Sequence, residues 1–460
     1  MPDRSPSSLP VAPDNELRLF DTVRAITAEL IWVGESFAAD RALVVDGDRV
    51  ASVARRDAIP PGATREDWGR VALVPGTVNA HGHAFQNLFK GFADDRRFES
   101  WRDAVLYPFS DRLDPEAIYT GALFAFAEAV VAGVTTTVDF FYLHDGGNDN
   151  AEQVVRAARD VGIRLVLARA FYDVDAPTRA PDRYRENAAD AARRCRELSR
   201  SHAGDPLVTV QPAPHSLHAV SLDTVAVAVD VAQDLGSAWH LHLAEAAYER
   251  DFVLRRHGST PVRVLEREGL LNDGLVAVHA VWIDDEEIDL LAGAGAAVVH
   301  CPGANAFLGD GIARVPEMLD RGVRVALGPD GGCANNRQSV FEEMRAASLL
   351  AKARLCDGAA LDAPTAFALG TRAGGDVLGL PVGSFEEGSY ADVVALDLDD
   401  LSLQPLATLE RQVVHSMQAT AIERVMVGGE VVAERGAPTR VDPADVRAGV
   451  ADVTGRWARP

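Results

Sequence analysis

Two histidines two residues apart follow an apolar run in the stretch VNAHGHAFQ (78–86). Residues i and i+2 of a strand point to the same side, so His81 and His83 are predicted to converge on one point. Two imidazoles at the end of a buried strand either hydrogen-bond a buried partner or hold a metal ion, because an unpaired buried polar group is costly. The HxH pattern alone leaves both interpretations open.

Four further polar residues lie at the ends of apolar segments later in the chain. His242 and Glu245 lie in HLHLAE. His279 lies in GLVAVHAVW, and Asp330 lies in GPDGG. Three imidazoles and one carboxylate can bind a first-row divalent ion and leave one position open for water. The predicted metal ligands are His81, His83, His242 and Asp330.

Two other histidines on the predicted strands are assigned to the fold. His240 shares a strand face with His242, yet only His242 is followed three residues later by a carboxylate, Glu245. His300, next to Cys301, is interpreted as a structural residue. Each single residue also has an ordinary interpretation, as a core histidine or a turn aspartate, and the combined set is what favours a metal site.

The segments that carry these residues alternate with helical patterns. Asp114-Pro115-Glu116 has the sequence of a helix N-cap and first turn, and this helix is predicted to end at Gly133. Alternating strands and helices predict a (β/α)8 TIM-type barrel, in which catalytic residues lie at the carboxyl ends of the strands. The eight predicted strands cover residues 71–83, 135–141, 163–171, 207–215, 237–245, 274–282, 296–303 and 323–331.

Both ends of the chain contain short strand patterns with tight turns. LRLFDTVRAI and RALVVDGDRVASVA precede the barrel, and Asp46-Gly47-Asp48 predicts a hairpin turn. ADVVALDLDD and AIERVMVGGEVVAERG follow the barrel, with Gly428-Gly429 as a second hairpin turn. We therefore expect an α/β protein in which residues 1–70 and 379–460 form a small β-sandwich domain and residues 71–378 form the barrel.

The composition limits the class of partner. The chain has 460 residues, 47% hydrophobic and 25% charged, which suits a large folded core. A formal net charge of −23 argues against nucleic acid and anionic membranes, which bind clusters of lysine and arginine. Neither a signal-peptide pattern nor an apolar run of about 18 residues occurs. The four cysteines form no CxxC pair, so we expect a cytoplasmic protein with reduced thiols.

The order and spacing of these motifs resemble the amidohydrolase superfamily from about residue 70 to about residue 375. The matching residues are His81-Gly82-His83, His242, Glu245, His279 and Asp330. GFADDRRFESW, HLHLAE and GPDGGCANN resemble the deaminase branch, which contains S-adenosylhomocysteine/methylthioadenosine deaminases and triazine hydrolases. HAFQ, FFYLHD, PHSLHAV and LGDG are similar to N-formimino-L-glutamate deiminase.

The resemblance implies a metal-dependent hydrolytic deaminase with one divalent ion. Binuclear members of the superfamily bridge their ions with a carboxylated lysine, usually on strand four, whereas LVTVQPAPH contains no lysine. The two lysines of the chain, Lys90 and Lys352, lie elsewhere. Zinc is the expected ion, with Fe²⁺ as the alternative, and such an ion lowers the pKa of a bound water from about 15.7 towards about 7.

Roles for individual residues follow from the same resemblance. Asp330 is expected to be both a ligand and the acceptor of a proton from the attacking water. Glu245 is expected to act as a general acid/base on the substrate nitrogen, and His279 to orient the attacking group. The resemblance also implies a homodimer.

Several substrate classes remain open at this point. An amino-heterocycle is expected ahead of N-formimino-L-glutamate, because the deiminase motif HSLR reads HSLH here and His218 replaces an arginine opposite the substrate carboxylate. Amide-ring or C–Cl hydrolysis is an alternative reaction on the same scaffold. A binding protein that has lost its ligands is a further alternative, but the ligand set has no gap. The residues expected to contact the substrate are Gln86, Arg102, Tyr142, His215 and His218.

Overall fold

Eight short parallel strands, almost entirely buried, lie at the centre of the molecule. The computed structural model describes residues 23–92, 94–174 and 180–457. Strands that are buried on both faces are rich in aliphatic residues, as these are. The α/β class predicted from the sequence is confirmed. The strands are Thr77–Asn79, Val134–Phe141, Arg164–Phe171, Val208–Pro214, Trp239–Leu243, Leu275–His279, Ala297–His300 and Arg324–Leu327.

These strands form two four-stranded parallel sheets, each containing four strands that are consecutive in the chain. Hydrogen bonds join the sheets at both pairs of edges. The N–H of His242 donates to the carbonyl of His215 at 3.0 Å, and the N–H of Ala80 donates to the carbonyl of Leu327 at 3.0 Å. Because all eight strands are parallel, the residues that follow them lie at the same end of the sheets.

Helices follow the parallel strands, as the alternating pattern predicts. The side chain of Asp114 accepts the backbone N–H of Ala117 at 2.8 Å and begins the predicted helix, which ends at Val131 shortly before Gly133. The helices are Phe98–Trp101, Tyr107–Ser110, Pro115–Val131, Asp149–Val161, Ala188–Ser201, Leu222–Leu235, Ala247–His257, Pro261–Arg267, Asp285–Ala294, Pro302–Leu308, Val315–Asp320, Gly332–Asn335, Val340–Leu355, Ala363–Leu369, Arg372–Leu378, Leu409–His415 and Pro443–Trp457. The segment Arg102–Leu106 is π-helical. Within the described ranges, no helix combines the length and apolar character needed to cross a membrane.

The first predicted strand, residues 71–83, is wrong as a single element. Val71–Pro75 pairs with Val393–Asp397 in a different sheet, and only Thr77–Asn79 joins the parallel strands. The chain changes sheets at Gly76, where a Cβ atom would overlap the side chain of Thr135. An unbroken apolar run shows that a segment is buried, but it does not show which sheet the segment joins.

Two further sheets contain the remaining strands. One sheet has seven strands and combines both ends of the chain, in the order Ala437–Pro438, Glu430–Glu434, Ile422–Val427, Val393–Asp397, Val71–Pro75, Leu30–Val33 and Ser36–Ala38. The other has four strands, in the order Arg49–Arg55, Arg41–Asp46, Val23–Thr27 and Thr64–Asp67. The predicted turns at Gly47 and at Gly428-Gly429 connect antiparallel strands. The first part of LRLFDTVRAI, residues 17–22, lies outside the described residues.

Candidate active site

The turn that carries His81 and His83 follows the short strand Thr77–Asn79 and is held by buried polar groups. The side chain of Asn79 accepts the N–H of His81 at 3.0 Å. The carboxyl of Asp139, on the neighbouring strand, accepts the N–H of Ala84 at 2.7 Å. Both ends of the turn are therefore fixed to the strands beside it.

The ring nitrogens of His83 and His242 are oriented by backbone carbonyls. Nδ1 of His83 lies 2.7 Å from the carbonyl oxygen of Phe140, and Nδ1 of His242 lies 2.9 Å from that of His215. A carbonyl oxygen only accepts hydrogen bonds, so each Nδ1 carries the proton and each neutral ring has a lone pair on Nε2. The two Nε2 atoms lie 3.3 Å apart.

Burial keeps these imidazoles neutral. It lowers the pKa of His81 and His83 well below the ordinary histidine value, and it lowers the pKa of His242 as well. Both ring nitrogens of His81 are buried without a hydrogen-bond partner among the described residues. Oδ1 of Asp330 lies 3.4 Å from Nε2 of His81 and 3.5 Å from Nε2 of His83.

This set of donor atoms suits a divalent cation. Lone pairs that face each other inside a protein repel, and a cation between them removes the repulsion. Two overlapping groups have ligand atoms within 4.8 Å of one another, His81 with His83 and His242, and His81 with His279 and Asp330. The structure thus brings buried imidazoles and one carboxylate together, a mixed set of nitrogen and oxygen atoms that could hold a metal ion.

His279 is oriented differently from the other histidines. Its Nδ1 lies 3.2 Å from the amide nitrogen of Asn305, which donates, so Nδ1 is unprotonated and the neutral ring carries its proton on Nε2. Nε2 lies 3.6 Å from Oε1 of Glu245 and 4.0 Å from Oδ2 of Asp330. His279 can therefore donate a hydrogen bond to an oxygen atom between these carboxyls.

Glu245 lies in the loop after the strand Trp239–Leu243. Burial raises the pKa of its carboxyl well above the usual range, and the nearby carboxyls of Asp310, Asp330 and Glu249 raise this pKa further. A raised pKa favours the protonated form of a carboxyl, which is the form that could give a proton to a substrate.

The backbone around these groups is strained. Ala244, His279 and Asp330 have φ values of 51°, 75° and 68°, in the left-handed region that residues with a Cβ atom rarely adopt. Such strain persists where the surrounding structure enforces it, as it often does at functional sites. All three residues lie at or next to the predicted site.

One cavity collects nearly all the predicted residues. Apart from the fully buried His81, every residue predicted to act as ligand, acid/base or substrate contact lines it. Gln86 and Tyr142 bond each other at 2.8 Å, so part of their hydrogen-bonding capacity is used within the protein. The Nε atom of Arg102 donates to the carboxylate of Asp103 at 2.8 Å.

The sequence matches a known family over most of its length. A profile of the amidohydrolase family matches residues 72–432. The chain belongs to the amidohydrolase family. The 5-methylthioadenosine/S-adenosylhomocysteine deaminase of Nitratidesulfovibrio vulgaris is 34% identical over 411 residues, which cover 88% of this chain and 90% of the relative.

Solved structures also resemble this amidohydrolase. An adenosine deaminase from Xanthomonas campestris with bound zinc has a TM-score of 0.86 at 29% identity, covering 94% of this chain and 98% of that chain. The atrazine chlorohydrolase of Arthrobacter aurescens, complexed with zinc, has a TM-score of 0.86 at 22% identity and covers 93% and 99%. At this identity the second similarity shows the fold alone.

The two histidines that were assigned to the fold belong to neither group of ligand atoms within the described part of the amidohydrolase. Nε2 of His240 lies 2.7 Å from the amide oxygen of Gln211, and burial lowers the pKa of His240 to about 3. His300 is the last, buried residue of the strand Ala297–His300, and burial lowers its pKa to about 3. Neither residue lines the cavity among the described residues.

Several cavity residues of this amidohydrolase were missed by sequence reasoning. Five of the seven tyrosines of the chain line the cavity, together with Phe98 and Trp101. Tyr142 and Tyr172 directly follow the strands that end at Phe141 and Phe171, so strand position would have identified Tyr172 as well as Tyr142. Of the five tyrosines, Tyr142 was predicted, whereas Tyr107, Tyr172, Tyr184 and Tyr248 were missed.

Proposed function

We propose that this protein is a metal-dependent hydrolytic deaminase that releases ammonia from a C=N carbon of an amino-heterocycle. The observation that carries the proposal is the convergence of His81, His83, His242 and Asp330 beside the carboxyl of Glu245, at an aromatic cavity that all of these residues except His81 line. Relatives named as deaminases of adenosine compounds support this reaction over formiminoglutamate deimination. The reaction adds water to the carbon, breaks a C–N bond and forms a C–O bond.

We propose one ion, zinc, held by His81, His83, His242 and Asp330. When bound, a zinc ion would lower the pKa of a water molecule and polarise the substrate. A bridging lysine for a second ion is absent from the fourth parallel strand, whose sequence is VTVQPAP. Lys90 forms an ion pair with Glu128, and Lys352 lies in the helix Val340–Leu355. The zinc-bound adenosine deaminase supports the choice of zinc over Fe²⁺.

The residues around the ion have separate roles in the reaction: Asp330 accepts a proton, Glu245 donates one and His279 holds the attacking oxygen. Asp330, whose carboxylate lies beside His81 and His83, accepts a proton from the attacking water. Glu245 donates its proton to the ring nitrogen next to the reacting carbon and then assists the departure of ammonia. The Nε2–H of His279 donates a hydrogen bond to the attacking oxygen and holds it in position.

The cavity walls favour a flat, uncharged ring over a dicarboxylate. Tyrosine, tryptophan and phenylalanine side chains can stack on or enclose a heterocycle. Among the described residues that line the cavity, Arg102 is the one permanent cation, and it already donates to Asp103. His218 lies 3.7 Å from the carboxyl of Glu249, and it offers no permanent positive charge where a dicarboxylate would need one.

We propose that the eight parallel strands form a closed (β/α)8 barrel over residues 71–378. Strands from residues 1–70 and 379–460 would form a small β-sandwich domain. The hydrogen bonds at both pairs of sheet edges support the closed barrel, and the seven-stranded sheet supports a domain built from both chain ends. Because Val71–Pro75 pairs with Val393–Asp397, we propose that the barrel begins after Gly76 rather than at residue 71.

We also propose a cytoplasmic homodimer. The four cysteines are free thiols, which suits a reducing compartment. Light scattering should give about twice the 49.2 kDa of one chain. A mass near one chain at micromolar concentration would contradict the dimer.

Ammonia release from zinc-loaded protein tests the proposed reaction. The panel contains adenosine, 5-methylthioadenosine, an aminopyrimidine, a pterin and N-formimino-L-glutamate. We expect at least one amino-heterocycle to be deaminated with kcat/KM of about 10⁴ M⁻¹s⁻¹ or more, the ordinary enzyme range. If only N-formimino-L-glutamate is hydrolysed at such a rate, the substrate class is wrong.

A further inference from the structure

Glu249 is a buried carboxyl outside the cavity lining that contacts two parts of the site. It lies in the first turn of the helix Ala247–His257, and its residue surface is 1% exposed. A carboxyl buried to this extent normally has hydrogen-bond partners for both oxygens. Oε2 of Glu249 has one partner, the backbone N–H of Glu245, at 2.9 Å.

The second oxygen of Glu249 faces a histidine of the cavity wall. Oε1 has no hydrogen-bond partner in the part of the chain that the structure describes, and Nδ1 of His218 has none either. These two atoms lie 3.7 Å apart. Nε2 of His218 contacts Oγ of Ser216 at 3.2 Å, and Oγ of Ser216 contacts Nδ1 of His215 at 3.0 Å.

The backbone of Glu245 depends on few contacts. Ala244, the residue before it, has a φ of 51° and its carbonyl accepts the N–H groups of Val281 and Trp282 at 3.1 and 2.9 Å. The Glu245 N–H is held by Glu249, four residues further along the chain. Removal of the Glu249 carboxyl would remove the hydrogen bond that the Glu245 N–H donates in this strained loop.

We propose that Glu249 is a positioning residue that sets the catalytic geometry of Glu245 and connects it to the wall formed by His215, Ser216 and His218. This inference rests on the proposed deaminase function. Glu249 acts through Glu245, whose backbone N–H it accepts. Loss of this bond would displace the general acid, and a displacement of about 1 Å can reduce turnover by about 10²-fold. It does not contact the substrate cavity itself among the described lining residues.

A double-mutant cycle tests this role, with adenosine as the first probe and otherwise the best amino-heterocycle of the panel. Glu249→Ala should lower kcat by about 10- to 100-fold with little change in KM. In the Glu245→Gln background, where the proton donor is already lost, the same change should lower kcat by less than about 3-fold. Glu249→Gln retains a carbonyl that can accept the Glu245 N–H, so it should recover most of the loss.

A second buried glutamate provides the matched control. Glu287 also accepts a backbone N–H at the start of a helix, that of Asp284 at 3.1 Å, and it is also 1% exposed. It does not line the cavity among the described residues. Glu287→Ala should lower the temperature of unfolding and leave kcat unchanged. If Glu249→Ala does not fold, Glu249→Asp takes its place in the cycle, because its shorter side chain withdraws the acceptor.

Equal losses of kcat in the wild-type and Glu245→Gln backgrounds would overturn the inference, since Glu249 would then act independently of Glu245. An equal effect of Glu287→Ala on kcat would also overturn it, because the effect would then be one of stability. Inactivity of the zinc-loaded wild-type protein on every substrate of the panel would instead refute the proposed function.

Discussion

Glu245 is the residue at which charge and burial bear most directly on the chemistry. Burial raises the pKa of its carboxyl, which favours the protonated form and suits the general-acid role that we propose. Glu245→Gln should leave the metal content unchanged and lower kcat by roughly 10²–10⁴-fold, the usual contribution of general acid/base catalysis. Steady-state kinetics and elemental analysis of the same preparation measure both effects. Near-full activity of the variant would contradict the proton-transfer role.

We propose two roles for Asp330, metal ligand and proton acceptor, so its substitution should have a different result. Asp330→Asn removes the negative charge beside His81 and His83, so both metal content and activity should fall. Elemental analysis after gel filtration measures the first effect, and ammonia release with added zinc measures the second. Full metal occupancy together with full activity would show that Asp330 is neither ligand nor proton acceptor.

At the scale of elements, the sequence predicted the strands better than the contacts between them. His81, His83, His242, His279 and Asp330 each lie at or just after a strand end, so a barrel pattern is sufficient to predict that they meet. The structure brings all five together. The positions of the strands can be predicted because the periodicity of apolar residues is a local property of the sequence.

Residues that hold the site could not be predicted in the same way. Asp139 bonds Ala84, 55 residues away, and Asn305 bonds His279, 26 residues away. Such contacts depend on the packing of distant segments, and no local pattern distinguishes Asp139 from a strand aspartate of another kind. The exchange of sheets at Gly76 was missed for the same reason.

Gly76 is a position where an element prediction can be tested. A methyl group there would overlap Thr135, so Gly76→Ala should destabilise the fold by about 1–3 kcal/mol through overpacking. Gly293, in the helix Asp285–Ala294, has open space around its Cβ position, and Gly293→Ala should be neutral or slightly stabilising. Urea unfolding of both variants measures the difference. Equal midpoints would mean that the close approach of Gly76 to Thr135 is wrong.

At the scale of the whole molecule, the ligand set predicts one ion for each chain. Protein stripped with a chelator should be inactive, and activity should return in proportion to zinc until one equivalent per chain has been added. Titration of zinc with parallel activity measurements provides the stoichiometry. A requirement for two equivalents would contradict the single-ion site.

The central claim is that the protein uses water to replace an amino group on a heterocycle. The most direct measurement is the reaction of zinc-loaded protein with the best amino-heterocycle of the panel in ¹⁸O-labelled water. We predict one ammonia released for each product molecule, and one labelled oxygen in each product, as mass spectrometry would show. Failure of the zinc-loaded protein to release ammonia from any amino-heterocycle, or a product without the label, would contradict the account.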